Sequence, residues 1–154
     1  MFTDRRRTFF GPFAVSWLKD RPRGVEKGTT MMTTDATLAL VRDYYDCWKH
    51  GEARFDEARL RRVLHPQLVF ESPIGRREKL DDFLPGLQRF TKSLKALEML
   101  QLFGSGAEAA AIYDCGLTAP VDRLRCSEVF RAEGEYIVSI RLVFDATPYK
   151  LQAA

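Results

Sequence analysis

The chain has 154 residues, 45% of them hydrophobic, 29% charged and 12% aromatic, which suits one domain with a core of its own. No apolar run approaches the roughly 18 residues of a membrane-spanning helix, so no membrane segment is expected. The net charge of +3 lies in residues 1–33, where seven Lys/Arg face three Asp/Glu; the rest holds 17 against 18, which excludes a general basic surface for nucleic acid.

Near the N-terminus, Arg6-Arg7-Thr8-Phe9-Phe10 superficially resembles a twin-arginine export signal. The apolar part that follows, Gly11 to Leu18, is short, contains Pro12 and runs into Lys19-Asp20-Arg21 with no small-residue cleavage site. Residues 1–33 are therefore read as a flexible extension, with Met31 or Met32 as alternative starts, and residues 34–150 as the domain, followed by a tail at 151–154.

A first helix is expected from about Asp35 to His50, capped by Thr34 or Asp35, with Gly51 past its end. Leu38, Val41, Tyr45 and Trp48 form one apolar stripe, with Leu40, Tyr44 and Cys47 beside it, so the helix buries a broad face. A short helix fits Asp56 to Leu64, and its Arg59, Arg61 and Arg62 read as a solvated side. The strand Leu68 to Ser72 follows and is broken by Pro73 and Gly75. A third helical pattern starts near Glu78, with Pro85-Gly86 expected to kink or split it. Four strands are then expected over Ala96–Phe103, Ala107–Thr118, Leu124–Ala132 and Tyr136–Asp145, mainly antiparallel because their links are short. The order predicts an α+β fold with the helices on one face of the sheet.

Cys47, Cys115 and Cys126 are an odd, widely spaced set without C-x-x-C, which suits reduced thiols in a cytoplasm. His50 and His65 lie far apart with no Cys/His cluster, so neither a metal site nor a cofactor is expected.

Leu64–Gly75, Ala111–Pro120 and Ser127–Asp145, in this order and spacing, resemble the nuclear transport factor 2-like superfamily, which includes ketosteroid isomerase, SnoaL-like polyketide cyclases and limonene-epoxide hydrolase. The resemblance covers about residues 35–150. It implies a cone-shaped curved antiparallel sheet wrapped around a long N-terminal helix (a cystatin-like architecture), an apolar cavity in the cone, and a symmetric homodimer. In ketosteroid isomerase a tyrosine on the first helix and a neutral strand acid donate to the oxyanion while an aspartate moves the proton; the neutral acid is a stock example of pKa tuning. By resemblance Tyr44 matches the tyrosine and Glu128 the strand acid. The E-D-P-x-G segment that carries the base reads Glu71-Ser72-Pro73-Ile74-Gly75, so Ser72 stands where the base would be. A serine hydroxyl cannot take a carbon-bound proton near neutral pH, which argues against ketosteroid isomerisation. The Asp-Arg-Asp set of limonene-epoxide hydrolase is not reproduced either, with Leu142 and Ile112 at two of its positions.

The resemblance thus implies a SnoaL-like enzyme for proton transfer, isomerisation, cyclisation or hydration of a small apolar molecule. The catalytic candidates are Tyr44, Glu128 and, as the remaining base, Asp114; Trp48, Phe70, Ser72, Leu142 and Phe144 are the substrate-binding candidates. The residues alone leave alternatives open. Tyr44 is either a core aromatic or a donor. Glu128 is either neutral through burial or ion-paired with an arginine such as Arg141. Asp114 either faces the pocket or is a strand-end or exposed charge, and Asp145 is read as the cap of a following turn. A non-catalytic ligand-binding module and a dimeric interaction scaffold are the competing functions.

Overall fold

The computed structural model describes residues 31–152. The expected extension at 1–33 lies almost wholly outside the described residues. Helix α1 (Thr34–Asp46) is capped by Thr33, whose hydroxyl accepts from the Ala36 amide at 3.2 Å. Thr34 or Asp35 was the expected cap; both are already inside the helix, and the Thr34 hydroxyl instead accepts from the Gly106 amide at 2.9 Å, while Thr37 donates to the Gly106 carbonyl at 2.7 Å. These two bonds pin the start of α1 to a strand turn. The helix stops earlier than the apolar stripe suggested, because the Asp56 amide takes the Cys47 carbonyl at 2.9 Å and the chain tightens into a turn. Gly51 completes that turn at φ +84°, where a Cβ would lie 3.1 Å from the Leu94 carbonyl oxygen.

A 3-10 turn (Glu52–Arg54) leads to α2 (Glu57–Val63), capped by the Asp56 side chain, and then directly to strand β1 (Leu64–Ser72). The short strand β2 (Gly75–Arg77) folds back on β1 and was not expected. Helix α3 (Leu80–Thr91) runs unbroken through Pro85, contrary to the expected split. Pro85 and Asp81 are both on its exposed side, so water can satisfy the carbonyl that Pro85 leaves unpaired.

Strands β3 (Leu94–Ser105), β4 (Glu108–Leu117), β5 (Arg123–Glu133) and β6 (Tyr136–Phe144) form an antiparallel meander close to the predicted boundaries. The six-stranded sheet has the order β2-β1-β6-β5-β4-β3, with β1 parallel to β6. Register shifts within β3 (Leu94/Ala96 and Met99/Gln101), β5 (Arg131/Ala132) and β1 (Leu64/Val69) mark the irregularities expected to bend such a sheet. A final helix, α4 (Thr147–Gln152), follows. Asp145 caps it by accepting from the Thr147 amide at 3.0 Å, so the expected turn extends into a helix.

Alternate residues of the sheet define its inner face: Tyr113 and Cys115 on β4, Cys126, Glu128 and Phe130 on β5, Ile140 and Leu142 on β6. Helix α1 lies across this face. Gly104 lets it approach β3, since a Cβ there would meet the Leu38 side chain at 3.1 Å. Tyr44, Tyr45 and Trp48 pack with Tyr113, Phe130 and one another at centroid distances of 5.1 to 6.3 Å, edge-on except for the tilted Tyr45–Trp48 pair. Burying each such ring contributes about 1.5–3 kcal/mol. No described helix is long and apolar enough to cross a membrane. Cys47, Cys115 and Cys126 are all free and buried.

Candidate active site

A cavity of about 300 Å³ opens between the inner face of the sheet, α1, α3 and α4. Glu128 is part of its lining and is only 2% exposed. The aromatic walls come from Trp48 on α1, Phe70 on β1, Phe83 and Phe90 on α3, Phe144 on β6 and Tyr149 on α4. The mouth lies between β2 and α3, where Ile74, Gly75, Arg77, Asp82 and Arg89 line the cavity and are exposed.

Glu128 is held by tyrosines. Tyr45 donates to Oε2 at 2.5 Å and Tyr44 to Oε1 at a long 3.4 Å. Burial pushes the Glu128 carboxyl up from 4.5 to about 7, and the Tyr45, Tyr113 and Tyr44 hydroxyls act against that rise by favouring the charged form. Tyr113 reaches this corner because it faces Cys126 across the β4–β5 ladder, diagonal to Glu128. The same burial, with the neighbouring carboxyl, drives all three phenols well above their ordinary range, so they remain donors. Among the described residues no cation joins the group. Arg141, the partner in the ion-pair alternative, is on the outer face and binds Glu71 at 3.0 Å.

Tyr44 lines the cavity, whereas Tyr45 stands behind Glu128 and does not. The two phenols therefore differ in access although both touch one carboxyl. Trp48 Nε1 is the one buried side-chain nitrogen or oxygen, among the described residues, without a hydrogen-bond partner. It lies close enough to Tyr44 to favour the ionised phenol, but without the geometry of a hydrogen bond.

Of the residues proposed from sequence, Tyr44, Trp48, Phe70, Ser72, Glu128, Leu142 and Phe144 all border this cavity. Asp114 does not, and the expectation of a pocket base there is overturned. It alternates with Tyr113 and Cys115, so it points to the outer face, where Arg125 binds it through two bonds of 2.8 Å and Arg123 adds a further close contact. Those guanidinium groups hold its carboxyl well below the usual carboxylate range. A base that is so weakly basic and faces away from the cavity cannot act in it. Ser72 borders the mouth, but its hydroxyl is engaged in the turn, accepting from the Ile74 amide and lying 3.3 Å from the Gly75 carbonyl.

The sequence reading missed the second and third tyrosines around Glu128 and the contribution of α4. Tyr45 was legible as an inward residue but had no reason to single it out from its stripe. Tyr113 could have been found by asking which inward residues of β4 sit diagonal to Glu128.

No protein-family profile and no curated protein matches the chain. Solved structures do. A nuclear transport factor 2-like protein of unknown function from Cytophaga hutchinsonii aligns with a TM-score of 0.62 at 21% identity, covering 82% of this chain and 99% of its own. The chain has the nuclear transport factor 2-like fold. Within it, a candidate ketosteroid isomerase from Kribbella flavida aligns with a TM-score of 0.59 at 22% identity, covering 72% of this chain and 78% of its own. A SnoaL-like polyketide cyclase candidate from Jannaschia sp. CCS1 aligns with a TM-score of 0.64 at 9% identity, covering 82% and 95%. At these identities the likeness is one of fold, and the resemblance read from Leu64–Gly75 and the later strands is borne out at that level.

Proposed function

We propose that the cavity is the active site of a small-molecule enzyme that moves a proton on an apolar carbonyl substrate, with Glu128 as the acid–base group. The observation that carries this reading is a cavity-lining carboxyl, almost fully buried, whose pKa is brought to about 7 with only tyrosines as partners. A general base works best when its pKa is near the operating pH. In the step, the Glu128 carboxylate takes a proton from the carbon next to the carbonyl. The C–H electron pair forms the carbon–carbon double bond of an enolate as the carbonyl π pair moves onto oxygen, and when the enolate collapses protonated Glu128 returns the proton at the same or a conjugated carbon. Tyr44 turns from its long contact to donate to the developing oxyanion, while Tyr45 holds the carboxyl in place.

The assignment differs from the one implied by ketosteroid isomerase, where the strand acid is a donor. With Ser72 at the base position and Asp114 on the outer face, Glu128 is, among the described residues, the one carboxylate deep in the cavity to do this work.

Deuterium exchange into 2-tetralone in heavy water tests this without knowledge of the natural substrate. Wild type should accelerate exchange at the carbons beside the carbonyl, with a rate that rises as Glu128 ionises through about pH 7, and Glu128→Gln should abolish it. Binding of the ketone without any acceleration would favour the second reading, a non-catalytic binding module. That reading draws on the Ser72 hydroxyl, which is engaged in its own turn.

We also propose that a second copy covers the outer face of the sheet. Phe103 on β3, Val129 on β5 and Val143 on β6 are 57%, 47% and 57% exposed there. Ala110, paired with both Phe103 and Val129, makes the band continuous.

A further inference from the structure

Two features of the cavity mouth bear on what enters it. Arg77 on β2 and Arg89 on α3 both border the opening and are exposed. Neither has a carboxylate within salt-bridge distance among the described residues, a state shared with Arg42, Arg54 and Arg62, none of which borders the cavity, while Arg59, Arg61, Arg76, Arg123, Arg125, Arg131 and Arg141 are all paired. The Arg77 guanidinium makes one bond, to the neighbouring Arg76 carbonyl at 2.8 Å, which leaves its other N–H groups available. Asp82 is the only carboxylate at the mouth and carries no ion pair among the described residues. The opening therefore holds two cations and one anion, a net charge of one.

Behind this rim the walls are aromatic, and the only ionisable carboxyl is the buried Glu128. Polarity is thus concentrated at the two ends of an apolar cavity. A volume of about 300 Å³ is roughly twice the 150 Å³ or so that accommodates benzene, so the body of the ligand is one or two rings. We propose that the substrate is an apolar monocarboxylate: a ring system seated against Trp48, Phe83 and Phe90, with its carboxylate at Arg77 and Arg89 and its reactive end at Glu128. A monoanion matches the net charge of the rim. Arginine suits the task because its planar fork pairs with a carboxylate through two N–H groups, and because the apolar part of its stem can cover the ring below. The inverse orientation would put a carboxylate beside Glu128 in a site without cations, which is strongly disfavoured.

The proposal rests on the reading of the cavity as a small-molecule site, but its test does not depend on catalysis. Calorimetric titration would compare 2-naphthoate with its methyl ester against wild type and the Arg77→Gln/Arg89→Gln double variant. Both positions are exposed and outside the proton-transfer machinery, so the variant should fold. The expected result is that wild type binds the carboxylate about tenfold or more tightly than the ester, with the preference shrinking as salt rises. The double variant should lose that preference while keeping wild-type affinity for the ester. Equal affinity of acid and ester for wild type, or an undiminished preference in the double variant, would overturn the proposal. Exchange into neutral 2-tetralone is followed in wild type alongside the titration, since that probe has no carboxylate. Loss of exchange with selectivity intact would sink the enzyme reading alone, and exchange with no selectivity would sink this one alone. Failure of every probe to bind overturns both.

Discussion

Tyr45 and Glu128, 83 residues apart in sequence, are joined by a 2.5 Å hydrogen bond. The bond runs from the helix to the middle of the sheet and fixes the acid buried in the cavity. Because the acceptor is buried and the donor is neutral, it stabilises the charged form of Glu128 without supplying a charge of its own. That is how a carboxyl can come to titrate near pH 7 rather than far above it.

The two helix tyrosines should separate in a pH profile. Tyr45→Phe removes the short bond that favours the carboxylate, so the apparent pKa of ketone exchange should move upward. Tyr44→Phe removes the cavity-facing phenol and its long contact, so it should lower the limiting rate by roughly 100–1000-fold, as loss of an oxyanion donor does, with a smaller change in the midpoint. Profiles that move identically in the two variants would remove the distinction between a positioning and a donating tyrosine.

Stability should carry the same signature. The folded Glu128 pKa, about 7, lies above the ordinary 4.5. Between those values the folded state binds more protons than the unfolded chain, so stability is fully present at low pH and falls as pH rises, levelling off above about 7. The full difference corresponds to about 3 kcal/mol. Urea denaturation from pH 4.5 to 8 should show this decline in wild type and a flatter curve in Glu128→Gln. A wild-type curve that rises over the same interval would mean that the carboxyl is charged throughout.

Asp114 should behave in the opposite sense and leave function alone. Its carboxyl is depressed by Arg125 and Arg123, so its contribution is present above the ordinary 3.8 and is lost on acidification below it. Asp114→Asn should lower Tm at neutral pH, narrow the gap to wild type in acid, and leave ketone exchange unchanged. A fall in exchange without a fall in Tm would return Asp114 to the candidates.

Assembly can be tested on the outer face. Val129→Glu puts a charge in the middle of the exposed apolar band, beside Ala110 on one strand and Arg141 on the other. Wild type should sediment as a dimer at micromolar concentration and the variant as a monomer with the same far-ultraviolet spectrum. A monomeric wild type would leave the band without a second copy to cover it.

Much of this fold was legible because alternation along β5 is regular, the turns between the later strands are marked by glycine and proline, and the α1 stripe is wide. Tyr44 and Glu128 were singled out by resemblance and both border the cavity, whereas Arg141, offered as one possible partner of Glu128, lies on the outer face. Asp114 was misjudged although its neighbours Tyr113 and Cys115 are both inward, which by alternation already sends it outward. What pairs with what was beyond the sequence: the parallel β1–β6 contact sets Glu71 beside Arg141 on the outer face, while Glu128 meets only tyrosines on the inner one. The hairpin β2 and helix α4 are too short to carry a periodic signal, yet they supply Arg77 and Tyr149 to the cavity.

Trp48 provides the last prediction. It is 2% exposed, and its Nε1–H has no partner among the described residues. Replacing a buried tryptophan by a smaller side chain normally costs several kcal/mol through lost packing and the void left behind. Here Trp48→Phe also removes an unsatisfied donor, whose desolvation costs about 1–3 kcal/mol. The two effects oppose each other, so the variant should lose no more than about 2 kcal/mol. Its enlarged cavity should also weaken binding of one- or two-ring ligands, acid and ester equally, since the indole packs against the ring rather than its head group. Urea denaturation and the naphthoate titration together check this. A loss above about 4 kcal/mol would show that the indole N–H is satisfied in solution, for which an ordered water in the cavity is the available partner.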